Sequence, residues 1–512
     1  MRPITHLSRT IFTLLGLTLF WLPFSGQVFG QSVPDAGLQL QTLIPVPNWG
    51  TGAAGTTAAS WDIITFNPVT RVFYIADRNN HGATAIDTKT WRAIGSIALP
   101  GCAANSACSP SGVGVAPDLQ KLLITDRDMR AYIYDLRVPG QGPAATLIVP
   151  AGPDEMDYDP LNHRYYFGNT TGPSFNVNVV DMVTNTYVGA ISLPAAPENP
   201  RFNPVDGHIY VPVPGVEVDE IDPQQGTAGA IVRRIPFPAS LLAAATCCNS
   251  FDIDPTTNTA VTASGQIVAL DIPSGTYTPL LVGTGVDIGF FNPHNRRWYF
   301  GARLNGPTSA QNCPKDNATP PLTSEVAVVA EANPSGATLI GGSCTGRAAR
   351  AAGVDPFQDN VYVPTPQYPS DPTSATTGSA GVLVFHDPAP ADDLNVSGGN
   401  EEGHSQAVLT PVAGSGVMGT VDFTLRRRNM SVEASLTGLP ATIVNTVLVV
   451  TTTVGNESIN CGVDGRGNGY CEGYVYGDPL IGGVVDVGSN GTFVAQGHIT
   501  LITPFPSFIS AY

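Results

Sequence analysis

Asn67-Pro68-Val69-Thr70-Arg71-Val72-Phe73-Tyr74-Ile75-Ala76-Asp77, with Thr84-Ala85-Ile86-Asp87 after it, is one copy of the pattern that decides the fold. Proline presets one backbone torsion and the asparagine side chain bonds its own backbone, so Asn-Pro fixes a turn. The β-branched and aromatic run behind it reads as a buried strand. The turn recurs at Ala116-Pro117, Asp159-Pro160, Asn203-Pro204, Asp254-Pro255, Asn292-Pro293 and Asp355-Pro356, seven times in all. A strand follows each turn, as at Lys121–Thr125, Arg164–Gly168 and Arg297–Gly301. A third strand then closes on aspartate, as at Asp135, Asp181, Asp222 and Asp271. The sixth repeat departs, its Val326–Ala330 run passing into Glu331.

A repeat of roughly 40–50 residues that cannot bury both faces of its own sheet points to radial stacking. Seven copies predict a seven-bladed β-propeller over residues 36–392. The seventh copy shows three strands, and the alternating segment 38–46 supplies the missing one, closing the ring and covering its edge. Acidic pairs Asp392-Asp393 and Glu401-Glu402 flank Gly398-Gly399, which marks residues 393–404 as a linker. Alternating runs such as Thr420–Leu425, Ser431–Leu436 and Thr446–Thr453 then predict a small β-sandwich-like domain over 405–512.

Arg2 and Arg9, the apolar run Ile11–Phe24 and small residues near Gly30 have the order of a secretory signal, residues 1–30. The expected location is therefore secreted, extracellular or periplasmic. No later run approaches the length of a membrane helix, so membrane insertion is not expected. Charged residues are 13% of the chain, and the net charge of −17 becomes −19 once Arg2 and Arg9 leave with the signal. Lysines number three, Lys89, Lys121 and Lys315. A chain this acidic lacks the basic surface that nucleic acid or anionic lipid attracts. The expected partners are a small molecule or an extracellular protein or glycan.

The text "NP.TR.FYIAD", read at Asn67–Asp77, resembles the YVTN/NHL class of β-propeller repeats. Asp154–Pro160 and Glu198-Asn199-Pro200 are similar to exported members of that class. The class hosts binding proteins, lactonases and scaffolds, so the resemblance implies a fold and not a reaction.

Six residues before each turn proline stand Asp62, Ser111, Asp154, Glu198, Asn249, Asp287 and Arg350. All are polar and five are ionisable, at a place where innermost strands enter the sheet. They are expected to converge at one mouth of the central channel, with Glu155 and Asn199 adding oxygens one position later. Hard oxygen ligands in such number suit Ca²⁺ or another divalent cation. The arrangement is similar to gluconolactonase-like propellers, and that resemblance implies Glu198, Asn249 and Asp287 as metal ligands and Asp154 or Glu155 as the base. The activity implied is a metal-dependent lactonase or related hydrolase. Three readings stand beside one another: a polar plug in which Arg350 neutralises carboxylates, a binding site in a scaffold protein, and that hydrolase.

Eight cysteines in an exported chain read as disulfides. Cys102–Cys108, Cys313–Cys344 and Cys461–Cys471 are the expected pairs, and the adjacent Cys247 and Cys248 are able to form a vicinal bond beside Asn249. His163, His208 and His294 fall at turns of separate repeats, which argues against one shared ion. No nucleophile elbow, zincin motif or phosphate loop is present.

Overall fold

A computed structural model describes most of residues 36–503. Outside it lie residues 1–35, 51–58, 103–107, 243–247, 303–324, 369–378, 389–402, 440–445, 476–483 and 504–512, with shorter interruptions between them. The expected signal segment, most of the expected linker, Cys247, Cys313 and Arg350 fall outside the described residues.

The chain is all-β. Six four-stranded antiparallel sheets have the arrangement of propeller blades, a five-stranded sheet is formed within residues 286–344, and residues 403–503 form an eight-stranded closed barrel. Within the four-stranded blades the inner strands are buried and the outermost strand is the most exposed. Val72–Asp77 is buried throughout, whereas the outer strand Arg92–Ala98 is largely exposed. This gradient is what radial stacking produces, because sheet faces cover one another near the axis and open toward the rim.

The repeated letters have local causes. Asn67 Oδ1 accepts the Thr70 N–H at 3.2 Å, Asp159 Oδ1 that of Asn162 at 3.1 Å, and Asn203 Oδ1 that of Val205 at 3.1 Å. Three residues beyond each turn proline the backbone is left-handed, with φ of 60° at Arg71, 48° at Gln120, 52° at His163, 75° at Gly207, 51° at Asn258, 56° at Arg296 and 52° at Asp359. The aspartate closing the third strand serves the next turn. Asp87, Asp135, Asp181 and Asp222 accept the amides of Lys89, Arg137, Val183 and Gln224 at 2.8–3.0 Å.

Gln39–Ile44 pairs antiparallel with Ser379–His386, from Gln39 opposite His386 to Ile44 opposite Val382. The last four-stranded sheet therefore draws strands from both ends of the repeat region. Its innermost strand, Gly353–Asp355, packs beside Trp61–Asn67 of the first. Phe73 stacks on Tyr362 at 4.9 Å across that seam. A Cβ on Gly353 would come within 2.2 Å of the Phe73 ring, so close approach requires glycine there.

The expected sandwich is instead a barrel. The twelve-residue strand Thr492–Thr503 pairs on one side with Val484–Ser489 and on the other with Gly403–Pro411. Its length lets it bridge both neighbours and abolish the free edges that a sandwich keeps. Side chains including Phe423, Leu448, Val450 and Val485 fill the interior. Cys461 and Cys471 face each other in register and are bonded, as are Cys102 and Cys108. Arg71 links the two parts of the chain. Its guanidinium donates to Asp355 at 2.9 Å across the seam and lies 3.9 Å from Glu472 of the barrel.

Candidate functional site: the acidic mouth of the propeller

A β-bulge opens the innermost strand of four sheets at the position singled out in the sequence. Asp154 and Glu155 together face one partner between the pairs Pro153–Asn169 and Met156–Phe167. Asp62, Ser111 and Asp287 occupy the same place between Trp61 and Ile64, Pro110 and Val113, and Val286 and Gly289. A bulge breaks strict alternation and re-aims side chains at the end of a strand. Glu198 and Asn249 lie just before the paired strands Arg201–Asn203 and Ser250–Asp254, held by backbone bonds to Pro212 and Ala263.

These positions bring Asp62, Asp154, Glu155, Glu198 and Asp287 into one electrostatic neighbourhood. Burial pushes the Asp154 carboxyl up to about 7, with the charges of Glu198 and Asp287 adding to it and Arg127 and Arg78 opposing it. Burial also raises Glu155, reinforced by the charge of Glu198 and by a hydrogen bond to it. Glu198 is raised by its own burial, and the bond from Glu155 works the other way. Burial and like charge thus push both Glu155 and Glu198 toward their protonated forms. Ser111 turns aside, its hydroxyl donating to the Pro153 carbonyl of the next sheet.

Three mouth residues were not anticipated. Arg78 donates to Asp62, Arg127 lies 3.6 Å from Asp62 and 4.0 Å from Asp154, and the Thr170 hydroxyl donates to Asp154 at 3.3 Å. Each is the residue after its second strand, and the repeated Asp77-Arg78 and Asp126-Arg127 were the signal available in the sequence. Arg78 and Arg127 provide positive charge of the kind expected from Arg350.

Deeper along the channel, three residues before the turn prolines, lie Asp157, Arg201, Asp252 and Phe290. Arg201 Nε is 3.2 Å from Asp252, Arg201 Nη1 donates to Asn199 Oδ1 at 2.9 Å, and the guanidinium stands 4.9 Å over the Phe290 ring. Asp157 and Asp252 each accept a backbone N–H of the following sheet, from Phe202 and Phe291, at 2.7 Å. Burial pushes Asp157 up to about 6 against the pull of Arg201. The signal was charge at the same offset in three consecutive repeats.

Several buried polar atoms of this region have no hydrogen-bond partner among the described residues. They are Asp154 Oδ1, Glu155 Oε2, Asn199 Nδ2 and Arg201 Nη2.

Among the described residues, the groups of three whose ligand atoms approach one another closely enough to hold a metal ion are Cys102, Cys108 and Asp126, where both sulfurs are in a disulfide, and Asp206, His208 and Glu220 on the fourth sheet. Glu198 and Asp287 do not form such a group with a third mouth acid. Cys248 is disulfide-bonded and left-handed, with φ 86°, immediately before Asn249. Cys344 is bonded as well.

No protein-family profile matches the chain, and no curated protein matches it in sequence. Among solved structures, its shape is similar to the Pan2 WD40 domain of Neurospora crassa, with TM-score 0.47 and 10% identity over 70% of this chain and 97% of that one. Hydrazine synthase of Kuenenia stuttgartiensis is similar at TM-score 0.46 and 13% identity, over 61% of this chain and 95% of that one. A chain of the mitotic checkpoint complex is similar at TM-score 0.46 and 12% identity, over 74% of this chain and 99% of that one, and these likenesses are of shape alone.

Proposed function

We propose that the chain is a secreted binding protein of the YVTN/NHL propeller type, with the acidic channel mouth as its ligand site. In this reading the five-stranded sheet takes a blade's place and the ring has seven members. The order of innermost-strand contacts supports it, since Val286–Asn292 neighbours both Ser250–Asp254 and Gly353–Asp355.

One observation carries the functional reading. Asp154 and Glu155 are raised well above the ordinary carboxylate range beside other acids, and each keeps an oxygen with no partner among the described residues. Carboxylates serving only to hold the fold are paired out, because an unsatisfied buried acceptor costs about 1–3 kcal/mol. Here that cost is carried in the free protein and is met when a ligand arrives.

The lactonase alternative needs Glu198, Asn249 and Asp287 to close on one cation. Melting with calcium and with chelator tests it directly, since an ion bound only by the folded state raises the melting temperature. No calcium shift retires the metal reading.

The binding reading is tested by Glu155→Gln. This change keeps the shape and removes a carboxyl whose charged form is disfavoured there. At pH 7.5 the variant should melt about 2 °C or more above wild type. A plug predicts the reverse, because Glu155 would then be a needed partner, and a fall in melting temperature overturns the site.

A further inference from the structure

His208 opens the second strand of the fourth sheet, His208–Val213, directly after the turn that carries Asp206. Glu220 comes from the third strand, Glu217–Asp222, where it lies opposite Tyr210 in register. Alternate residues of a strand share a face, so the His208 ring and the Glu220 carboxylate meet on the side that Tyr210 faces. His208 Nδ1 is 2.7 Å from Glu220 Oε1, and ligand atoms of Asp206, His208 and Glu220 all lie within 4.8 Å of one another. One imidazole nitrogen with two carboxylate oxygens is a donor set that zinc takes, its fourth position left to water. Asp206 is exposed and His208 partly so, which opens the group to an ion from solvent. Three features separate it from an ordinary acidic turn. Glu220 is 9% exposed, and its Oε2 is buried with no hydrogen-bond partner among the described residues. Asp206 is held in place, Oδ1 accepting the His208 N–H at 2.9 Å while Oδ2 accepts the Tyr210 hydroxyl at 2.7 Å and Asn203 Nδ2 at 3.1 Å. That leaves a lone pair on Oδ1. The other imidazole nitrogen, Nε2, lies 3.9 Å from Asp222 Oδ1. A metal-bound histidine usually gives its second N–H to a carboxylate, which fixes the ring.

The charges point the same way. Asp206, Glu220 and Asp222 bring three negative charges. Arg233 returns one from 3.7 Å beyond Glu220 Oε2, and its Nη2 is turned to the Pro273 carbonyl at 3.2 Å. With a neutral imidazole, two negative charges of this group stay unbalanced, which one divalent cation meets. We propose that Asp206, His208 and Glu220 bind a single divalent transition-metal ion of the zinc class, with Asp222 positioning the imidazole. The ion replaces the proton through which His208 Nδ1 now bonds Glu220 Oε1, and that proton leaves to solvent. The two atoms then part to about 3.3 Å, the separation that zinc bonds of about 2.0–2.1 Å give at a tetrahedral angle. All three ligands come from one repeat, so the ion clamps the turn to the third strand. Glu198 belongs to the same repeat but precedes its innermost strand, whereas this group follows it, so the metal site stands apart from the mouth.

The test strips the full, untagged chain with chelator, dialyses it and titrates it with zinc chloride, read by calorimetry and by melting temperature. The expected result is one zinc per chain at micromolar affinity or tighter, with the melting temperature raised by about 2 °C or more in excess zinc. Calcium and magnesium prefer all-oxygen sites and should not displace it at equal concentration. His208→Gln should weaken zinc binding about a hundredfold, and Asp222→Asn about tenfold, as loss of a partner to a metal ligand does. Glu220→Gln serves if His208→Gln does not fold. His163→Gln, at the corresponding turn of the third sheet, should bind zinc as wild type does. Failure of the wild type to bind zinc overturns the site, and so does equal affinity in wild type and His208→Gln, which would mean scattered surface histidines. Displacement of zinc by calcium or magnesium overturns the assignment of the imidazole as a ligand.

Discussion

Arg201 holds apart two carboxylates on neighbouring strands, with Asp252 in contact and Asp157 lowered by its charge. Each acid also binds the backbone of the next sheet, so this one side chain joins three successive repeats. Breaking a buried ion pair by removing one partner typically costs about 3–5 kcal/mol, because the other charge stays behind. Arg201→Met should therefore lower the denaturation midpoint strongly at pH 8. The cost should shrink at pH 5, where Asp157, already raised to about 6, is free to take a proton. The sign follows from linkage: an acid raised in the folded state contributes stability at low pH and loses it as pH rises through its folded pKa. Guanidinium melts of wild type and variant at both values check this, and an unchanged midpoint at pH 8 would contradict it.

Strand Gln39–Ile44 depends on glycine in its partner. A Cβ on Gly381 would meet the Ile44 carbonyl oxygen at 2.3 Å, backbone against side chain with nothing flexible to yield. Gly381→Ala should loosen this strand while leaving the inner strands paired. The free edge it exposes should cause aggregation that a charged edge would prevent. Static light scattering of variant and wild type at equal concentration measures it, and an equally monodisperse variant would refute it. At this scale much was legible in advance. Asn-Pro, the closing aspartate and strand alternation act within a few residues, so they appear in the sequence as repeated letters. The bulge acids were legible for the same reason, as a fixed offset from a fixed turn. Arg78, Arg127 and Arg201 were not read, because their effect depends on which neighbouring sheet they reach. The barrel was not read either: inward–outward alternation is the same in a sandwich, and closure depends on where Thr492–Thr503 finds its second partner.

Across the whole molecule, the barrel meets the propeller where the ring closes. Glu472 lies against Arg71, which itself spans the first and last four-stranded sheets through Asp355. Burial pushes Glu472 up to about 7; Arg71 and Lys89 oppose that rise, and Glu433 and Asp355 add to it. A raised folded-state pKa means that the folded form holds a proton the unfolded form releases, so the stability of this region falls as pH rises from about 5 through 7. Hydrogen exchange of strand Gly469–Val475, corrected for intrinsic rates, should show greater protection at pH 6 than at pH 8. Glu472→Gln should give the two values equally, and a difference that persists in the variant would assign the effect to another group.

The pairing of Gln39 with His386 has a mechanical consequence. The strands are antiparallel, so the chain enters the propeller and leaves it at the same end of one hydrogen-bonded ladder. A load applied between residue 39 and the barrel does not shear that ladder along its length. It opens it from one end, a single rung at a time, as a zip opens. A molecule tethered upstream of Gln39 and pulled through its barrel would yield at this clasp first, at low force, with the inner strands of the ring still in place.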